Sequence, residues 1–263
     1  MIKIAITGAN GRMGQALIRL VHQNENTQLI GAVVRHNSQH IGKDALSVSS
    51  NTPCGVVFSD NAQSIFEHAD VVIDFCPAGN TQKHLNLAIQ TNTKMVIGTT
   101  GLDDDMEQKI AVAGLSIPIV YASNFSVGVN LMFAMCEKSG QALDSGLFKT
   151  HIEETHHVHK LDAPSGTAIS MGKAVAHGRD ANFSDVYKYK QERENSADIT
   201  FTDIREGEVI GNHTITFTSP LETFSITHNA HGRDLFANGA IVASIWVNGM
   251  SPSLYSMRNV LEV

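Results

Sequence analysis

Cysteine is scarce and poorly placed for a structural framework. Cys54, Cys76 and Cys136 are three in number, far apart and outside any CxxC spacing. That excludes a disulfide-stapled fold, supplies no metal motif, and leads us to expect reduced thiols in a cytoplasmic protein. No run of about 18 apolar residues occurs, so no transmembrane helix is expected. The apolar run at Ile2–Ile6 is too short for a signal peptide. Positive charge is not in excess. The 19 Lys and Arg against 26 Asp and Glu give a net charge of −7, which argues against nucleic-acid binding but leaves room for a local basic pocket. Repeats, long linkers and low-complexity tracts are also missing. What remains is an ordinary globular composition, 42% hydrophobic over 263 residues. It suffices for one large core or two smaller ones without disulfides.

The first half alternates short apolar runs with helical patterns. Strands are expected at Ile2 to Thr7, Leu29 to Val34, Val56 to Phe58, Asp70 to Phe75, Met95 to Gly98 and Ile117 to Tyr121. Helices are expected at Arg12 to His22, Thr81 to Gln90 and Asp104 to Ala113. Such alternation favours a parallel, doubly wound sheet. After about Ser123 the pattern changes. Helices are expected at Val127 to Gly140 and Gly166 to Ala176, and strands at Phe148 to Glu154, Ile199 to Arg205, Asn212 to Ser219 and Glu222 to Asn229. The last three suggest an antiparallel sheet. The polar stretch from Gly178 to Ser196 reads as a surface loop, and Ala237 to Val247 returns to helix. The expected organisation is an α/β domain, residues 1–126 and 237–263, into which a smaller α+β domain, residues 127–236, is inserted.

Gly8-Ala9-Asn10-Gly11-Arg12-Met13-Gly14 follows the first strand and opens the first helix. Small residues there let the backbone turn tightly and approach a pyrophosphate seated on the helix N-terminus. An ordinary tight turn is the alternative, but the strand before and helix after favour a dinucleotide site. Where NAD-preferring proteins close the second strand with an acid, this chain has Val34-Arg35. Arg35 suits a 2′-phosphate, so NADPH is the expected cofactor and NADH a second one. Gly98-Thr99-Thr100-Gly101 and Ala122-Ser123-Asn124-Phe125 each follow a strand and belong at the same sheet edge, beside the nicotinamide; Phe75-Cys76-Pro77-Ala78 follows another.

The second concentration of chemistry is Glu153-Glu154-Thr155-His156-His157-Val158-His159-Lys160, followed by Asp162-Ala163-Pro164-Ser165-Gly166-Thr167. A histidine, with an ordinary pKa of ~6.5, passes protons near neutral pH. Lys160 adds a cation. Ser165-Gly166-Thr167 at a helix start can hold a carboxylate. A metal site or a solvated tract is the competing reading; no second ligand cluster completes a zinc set, and no metal is expected.

These motifs, in this order, resemble the dihydrodipicolinate reductase (4-hydroxy-tetrahydrodipicolinate reductase) family. Ser126-x-Gly128-x-Asn130, Arg205-x-Gly207-x-x-x-Gly211-x-His213 and Phe236-Ala237-x-Gly239-Ala240 extend the match over nearly the whole chain. The resemblance implies a Rossmann-like domain, a second domain with an open mixed or antiparallel sheet, and a homotetramer. It implies hydride transfer from NAD(P)H to a cyclic imine dicarboxylate with loss of water. Carried over, His156 and Lys160 are the proton donors, His157 a substrate contact, and Gly166 and Thr167 the carboxylate-binding pair. Gly8 to Met13, Gly98 to Thr100 and Ala122 to Phe125 are the implied cofactor contacts. Many members have Glu-Arg in place of Val34-Arg35, which puts NADH use in question here. A different Rossmann reductase and a cofactor-sensing regulator are the rival readings.

Overall fold

The computed structural model describes residues 1–50, 52–188 and 199–263. Along the chain run β1 (Ile2–Thr7), α1 (Arg12–Gln23), β2 (Thr27–Val33), β3 (Phe58–Ser59), α2 (Ala62–Phe66), β4 (Val71–Asp74), α3 (Ala78–Thr91), β5 (Lys94–Ile97), α4 (Asp104–Ala113) and β6 (Pro118–Tyr121). Then come α5 (Val127–Ala142), β7 (Lys149–His156), α6 (Gly166–Gly178), α7 (Phe183–Val186), β8 (Tyr187–Lys188), β9 (Ile199–Arg205), β10 (Asn212–Thr218), β11 (Thr223–Asn229), α8 (Asp234–Val247), β12 (Ser253–Tyr255) and α9 (Met257–Leu261). Two compact units result. Met1–Val127 with Asp234–Glu262 form the first, and Gly128–Arg233 the body of the second.

The first unit is built on a seven-stranded parallel sheet in the order β12-β6-β5-β4-β1-β2-β3. Parallel strands covered on both faces read as continuous apolar runs, and Ile4 to Thr7 and Val71 to Asp74 are buried without a break. Successive residues go to opposite sides. Ile4 and Ile6 pack with Leu17 and Ile18 of α1 and with Ala240 and Ile241 of α8. Ala5 joins Leu85 and Ala88 of α3 and Ile110 of α4.

The second unit carries a five-stranded sheet, β11-β10-β7-β9-β8. Its core joins Ile152, Ile199, Ile215 and Phe217 to Met171 and Val175 of α6 and Met132 of α5. The sheet is mixed: β10 pairs antiparallel with β7 and β11, but β9 runs parallel to β7 and β8. The long excursion through α6 between β7 and β9 permits the parallel pairing.

Three expectations change. The strand Ile199–Arg205, expected in an antiparallel sheet, pairs parallel with both of its neighbours. Strand pairing after Cys54 starts at Phe58, while Val57 only bridges Asp44. The segment from Gly178 is not all loop. It contains α7 and β8, because Phe183 stacks on Tyr187 at 4.8 Å and both rings meet Phe201. The rest of that stretch, from residue 189, lies outside the described residues. Among the described residues no helix is long and apolar enough to cross a membrane.

Candidate active site

In the first unit the strand order reverses beside β1, which lies between β4 and β2. Ligands of open α/β sheets bind beyond the carboxyl ends of strands at such a point. The Gly8–Gly11 turn after β1, Phe75–Pro77 after β4, Gly98–Gly101 after β5 and Ala122–Ser126 after β6 all leave from that edge. Gly8 has φ +63°, and a Cβ there would lie 2.7 Å from the Phe75 carbonyl oxygen. A Cβ on Gly14 would lie 2.4 Å from the Gly8 carbonyl oxygen. The loop therefore folds flat onto the start of α1, whose N-cap Gly11 contributes no side-chain bond. The first N–H groups of that helix lack intrahelical partners, and N–H groups so placed suit an anion.

The motif residues divide at this edge. Asn10, Gly11, Arg12, Thr100 and Ser123 are exposed, as is Arg35 just beyond β2, and Met13 is half-buried. Ala9 is fully buried, and its N–H donates to the Val33 carbonyl at 3.1 Å. The Thr99 hydroxyl is turned inward and donates to the Cys76 carbonyl at 3.1 Å. The Phe125 ring is in the core against Phe75, with 5.6 Å between centroids. Thr99 and Phe125 can offer a ligand backbone groups but not side chains, whereas Ala9, whose carbonyl also accepts from Gln15 Nε2 at 2.9 Å, only shapes the turn.

A buried polar network underlies the edge. Asp74 is fully buried; its Oδ1 accepts from the Thr7 hydroxyl and lies 3.1 Å from His84 Nδ1, with Cys76 Sγ 3.5 Å from the same nitrogen. Burial pushes the Asp74 carboxyl up, but its bonds to His84, Cys76 and Thr7 and the charge of His84 hold it below the usual range. Burial and the neighbouring carboxylate push the Cys76 thiol up. The charged carboxylate and neutral thiol pin the ends of β1 and β4 to α3.

In the second unit, β7 alternates: Thr150, Ile152, Glu154 and His156 turn inward, and Glu153 outward. Register on β10 sets His213 opposite Glu154. Glu154 Oε2 lies 3.6 Å from His156 Nδ1 and 3.7 Å from His213 Nε2, and the two rings meet edge-on at 5.0 Å. The Ser165 N–H donates to Glu154 Oε1 at 2.9 Å, and Ser165 Oγ lies 3.2 Å from His213 Nε2. As N-cap of α6, Ser165 Oγ also accepts from the Ala168 N–H at 3.1 Å. Ser165 is thus buried, with its hydroxyl and N–H engaged on the protein side. The helix-start N–H groups left over are those of exposed Gly166 and half-buried Thr167.

Beyond His156 the chain turns. Glu206 N–H donates to the His156 carbonyl at 2.8 Å, and Val158 N–H to the Gly207 carbonyl at 3.1 Å. The Arg205 guanidinium donates to the carbonyls of Lys160 at 3.2 Å and Asp162 at 2.8 Å. Lys160 Nζ pairs with both oxygens of Asp162, at 2.9 and 2.7 Å, and holds that carboxyl below its usual range. His157 is half-buried, whereas His159 is exposed, 3.4 Å from exposed Glu208. Burial opposes ionisation of Glu154, but the contacts with His213 and Ser165 and the charge of His156 bring it down to about 2. Burial also depresses His156, to about 4; Glu154 works against this, while His213, Lys160 and Arg205 add to it.

Sequence reasoning assigned no role to Glu154, Arg205 or His213. The alternation of β10 carried one signal, since it turns His213 inward with Ile215 and Phe217. Glu154, His156 and His213 bring their ligand atoms within 4.8 Å of one another, as do Asp74, Cys76 and His84. A groove of about 680 Å³ lined by Asp60, Gln63, Gln82, Lys83 and Gln90 contains none of the expected site residues.

Two family models match the chain: "Dihydrodipicolinate reductase, N-terminus" over residues 2–125 and "Dihydrodipicolinate reductase, C-terminus" over residues 128–261. The chain is 41% identical over 268 residues to a 4-hydroxy-tetrahydrodipicolinate reductase of Pseudomonas fluorescens strain SBW25, covering 100% of both. It is 42% identical over 266 residues to the protein of the same name in strain Pf0-1, covering 99% of both. Among solved structures it is similar to a dipicolinate-bound dihydrodipicolinate reductase from Paenisporosarcina sp. TG-14, with TM-score 0.81, 26% identity, and coverage of 99% of this chain and 100% of that one.

Proposed function

The chain belongs to the dihydrodipicolinate reductase family, and from that premise we propose a division of labour among its residues. It is an NAD(P)H-dependent oxidoreductase that reduces a cyclic imine dicarboxylate with loss of water, forming tetrahydrodipicolinate for lysine and diaminopimelate synthesis. The proposal assigns nucleotide binding to residues 1–126 and 237–263, and substrate binding and oligomerisation to residues 127–236.

When bound, the reduced nicotinamide supplies a hydride. Asn10, Gly11, Arg12 and Met13 hold its pyrophosphate on the α1 start, with Gly8 and Ala9 shaping the turn. Backbone groups of Gly98, Thr99, Thr100, Ala122, Ser123, Asn124 and Phe125 line the nicotinamide end. In the second unit, Gly166 and Thr167 bind one substrate carboxylate, and His157 contacts the substrate. Lys160, now paired with Asp162, exchanges that carboxylate for the substrate's. Hydride addition to the conjugated imine leaves an electron-rich enamine, which His156, assisted by Lys160, protonates. Burial disfavours the charged form of His156 in the free enzyme. A dianion beside it raises its proton affinity, so substrate binding loads the donor. The observation that carries this reading is the meeting of His156 with the α6 start through Glu154 and Ser165.

Thr167→Val tests the anchor. It should raise the substrate KM about tenfold, the loss of one hydrogen bond to a charged group, and leave the cofactor KM unchanged. An unaltered substrate KM removes the Thr167 hydroxyl from the anchor and leaves its backbone N–H, which valine keeps, as the contact.

For the cofactor, we propose NADPH as the preferred partner and NADH as the weaker one. Arg35 is exposed beyond β2, where a 2′-phosphate would lie, and Val34 supplies no acid for a ribose hydroxyl. Arg35→Ala should raise the KM for NADPH about tenfold, as loss of a charge-assisted contact, while the KM for NADH stays within twofold, roughly the scatter of a surface change. Equal changes for both cofactors contradict the assignment.

We further propose a cytoplasmic homotetramer. In its support, β11 is an edge strand with Phe224 exposed, and hydroxyl pairs Thr214–Thr227 and Thr216–Ser225 lie along the exposed face of the sheet. Open edges of this kind invite pairing or cover.

A further inference from the structure

Glu154 stands out on physical grounds. It is 1% exposed, while its neighbour Glu153 faces solvent. A buried carboxylate is costly unless hydrogen-bonded and charge-paired. Oε1 is satisfied by the Ser165 N–H. Oε2 is buried without a hydrogen-bond partner, and so is His156 Nδ1, 3.6 Å away. Two orphaned groups of complementary character therefore face each other across less than the width of a water molecule. A sub-ångström adjustment makes the bond. An imidazole whose Nδ1–H is held by a carboxylate presents Nε2 to its substrate and is more readily protonated there.

We propose that Glu154 is a positioning residue for the reaction: one carboxylate orients and charges the His156 donor through Oε2 and fixes the carboxylate-binding start of α6 through Oε1. The proposal rests on the reductase reading given above. Among the groups facing His156, Glu154 is negative, whereas Lys160, Arg205 from β9 and His213 from β10 are cationic or can become so; His213 in turn faces His228 on β11. Ser165 of the α6 start adds no charge. Removal of Glu154 thus leaves His156 among groups that all resist its protonation. A purely structural Glu154 would need only the Ser165 bond, which a neutral amide also provides.

The test is Glu154→Gln, which keeps the acceptor for Ser165 and loses the charge. A donor must be protonated to work, so activity falls on the alkaline side of its pKa. An opposite charge at this range is worth about 1–3 pKa units. The alkaline limb of the kcat profile should therefore move down by about 1–3 pH units, with kcat at neutral pH reduced about tenfold or more and the cofactor KM unchanged. A lowered kcat with an unmoved limb is the signature of a structural role and overturns the proposal. Should the variant not fold, nitrogen-15 NMR of the wild-type imidazoles with pyridine-2,6-dicarboxylate bound reads the same bond. A protonated, hydrogen-bonded His156 Nδ1 is expected, and an unprotonated Nδ1 refutes it. Failure of the reductase reading looks different: wild type would then not oxidise reduced nicotinamide on addition of the cyclic imine.

Discussion

His156→Gln should lower kcat by about 10²–10⁴-fold, the usual contribution of a positioned proton donor, with little change in the KM for the cofactor. Glutamine retains the size and some hydrogen-bonding capacity of the imidazole but has no proton to give. His156 lies at the end of β7, 7% exposed, with its backbone carbonyl held by Glu206. The substitution therefore leaves the strand register in place. The turn of Gly8 to Gly14, proposed to hold the cofactor, belongs to the other unit. Steady-state kinetics with each substrate varied in turn separates the outcomes. A raised cofactor KM with kcat preserved would remove His156 from the chemistry.

Acid should also weaken the fold through the same side chain. The folded pKa of His156, about 4, lies below its ordinary value of 6.5. Its contribution to stability is present above that ordinary value and is lost as pH falls through the folded one, because the unfolded chain binds the proton more readily. His228 is depressed in the same direction, by burial and by His213 and His231.

The second large effect is expected from Gly14→Val. A Cβ at this position would lie 2.4 Å from the Gly8 carbonyl oxygen and 2.7 Å from Ala9 backbone atoms. Those are backbone groups, so no side-chain rotation relieves the contact, and valine adds two methyls. The turn has to lift off the helix start. Overpacking of this kind costs about 1–3 kcal/mol, or roughly 5–150-fold if it falls on the cofactor-bound loop. Titration with NADPH, followed by fluorescence, should show this loss, while binding of pyridine-2,6-dicarboxylate, used as a probe of the dicarboxylate site proposed in the second unit, persists. Retention of full NADPH affinity would mean that the cofactor does not depend on the close packing of this turn.

Much of the first unit was legible in the residue order. Strands buried on both faces are continuous apolar runs, and the glycine spacing marks where the backbone must come close to itself. The seven-stranded sheet follows that alternation, apart from β12. The elements not foreseen, α2, α7, β8, β12 and α9, have five residues or fewer, too few for a period to register. The polar character of the stretch after Gly178 hid α7 and β8, whose aromatic residues matter more than their average composition.

The candidate site was legible in its local half. The tract from His156 to Thr167 is one stretch of chain, and its residue types announce proton transfer and anion binding. What it could not disclose is direction. Ser165, Thr99, Ala9 and Phe125 all belong to recognisable motifs, yet their side chains face the protein, because a motif names the residue and not the side it turns. Nor could local pattern reveal that Arg205 clamps Lys160 and Asp162, or that His213 meets Glu154 and Ser165. Those contacts depend on the register of β7 against β9 and β10, a long-range property set by the folded sheet.

The central claim is hydride transfer from reduced nicotinamide to the cyclic imine dicarboxylate, with a proton from the His156 tract. Mixing the enzyme with NADPH deuterated at the transferable C4 position and the freshly generated imine, then weighing the product by mass spectrometry, tests it most directly. One deuterium in each tetrahydrodipicolinate formed, with equal NADPH consumed, is the predicted result. Oxidation of NADPH without label in that product, or no oxidation at all, would contradict it.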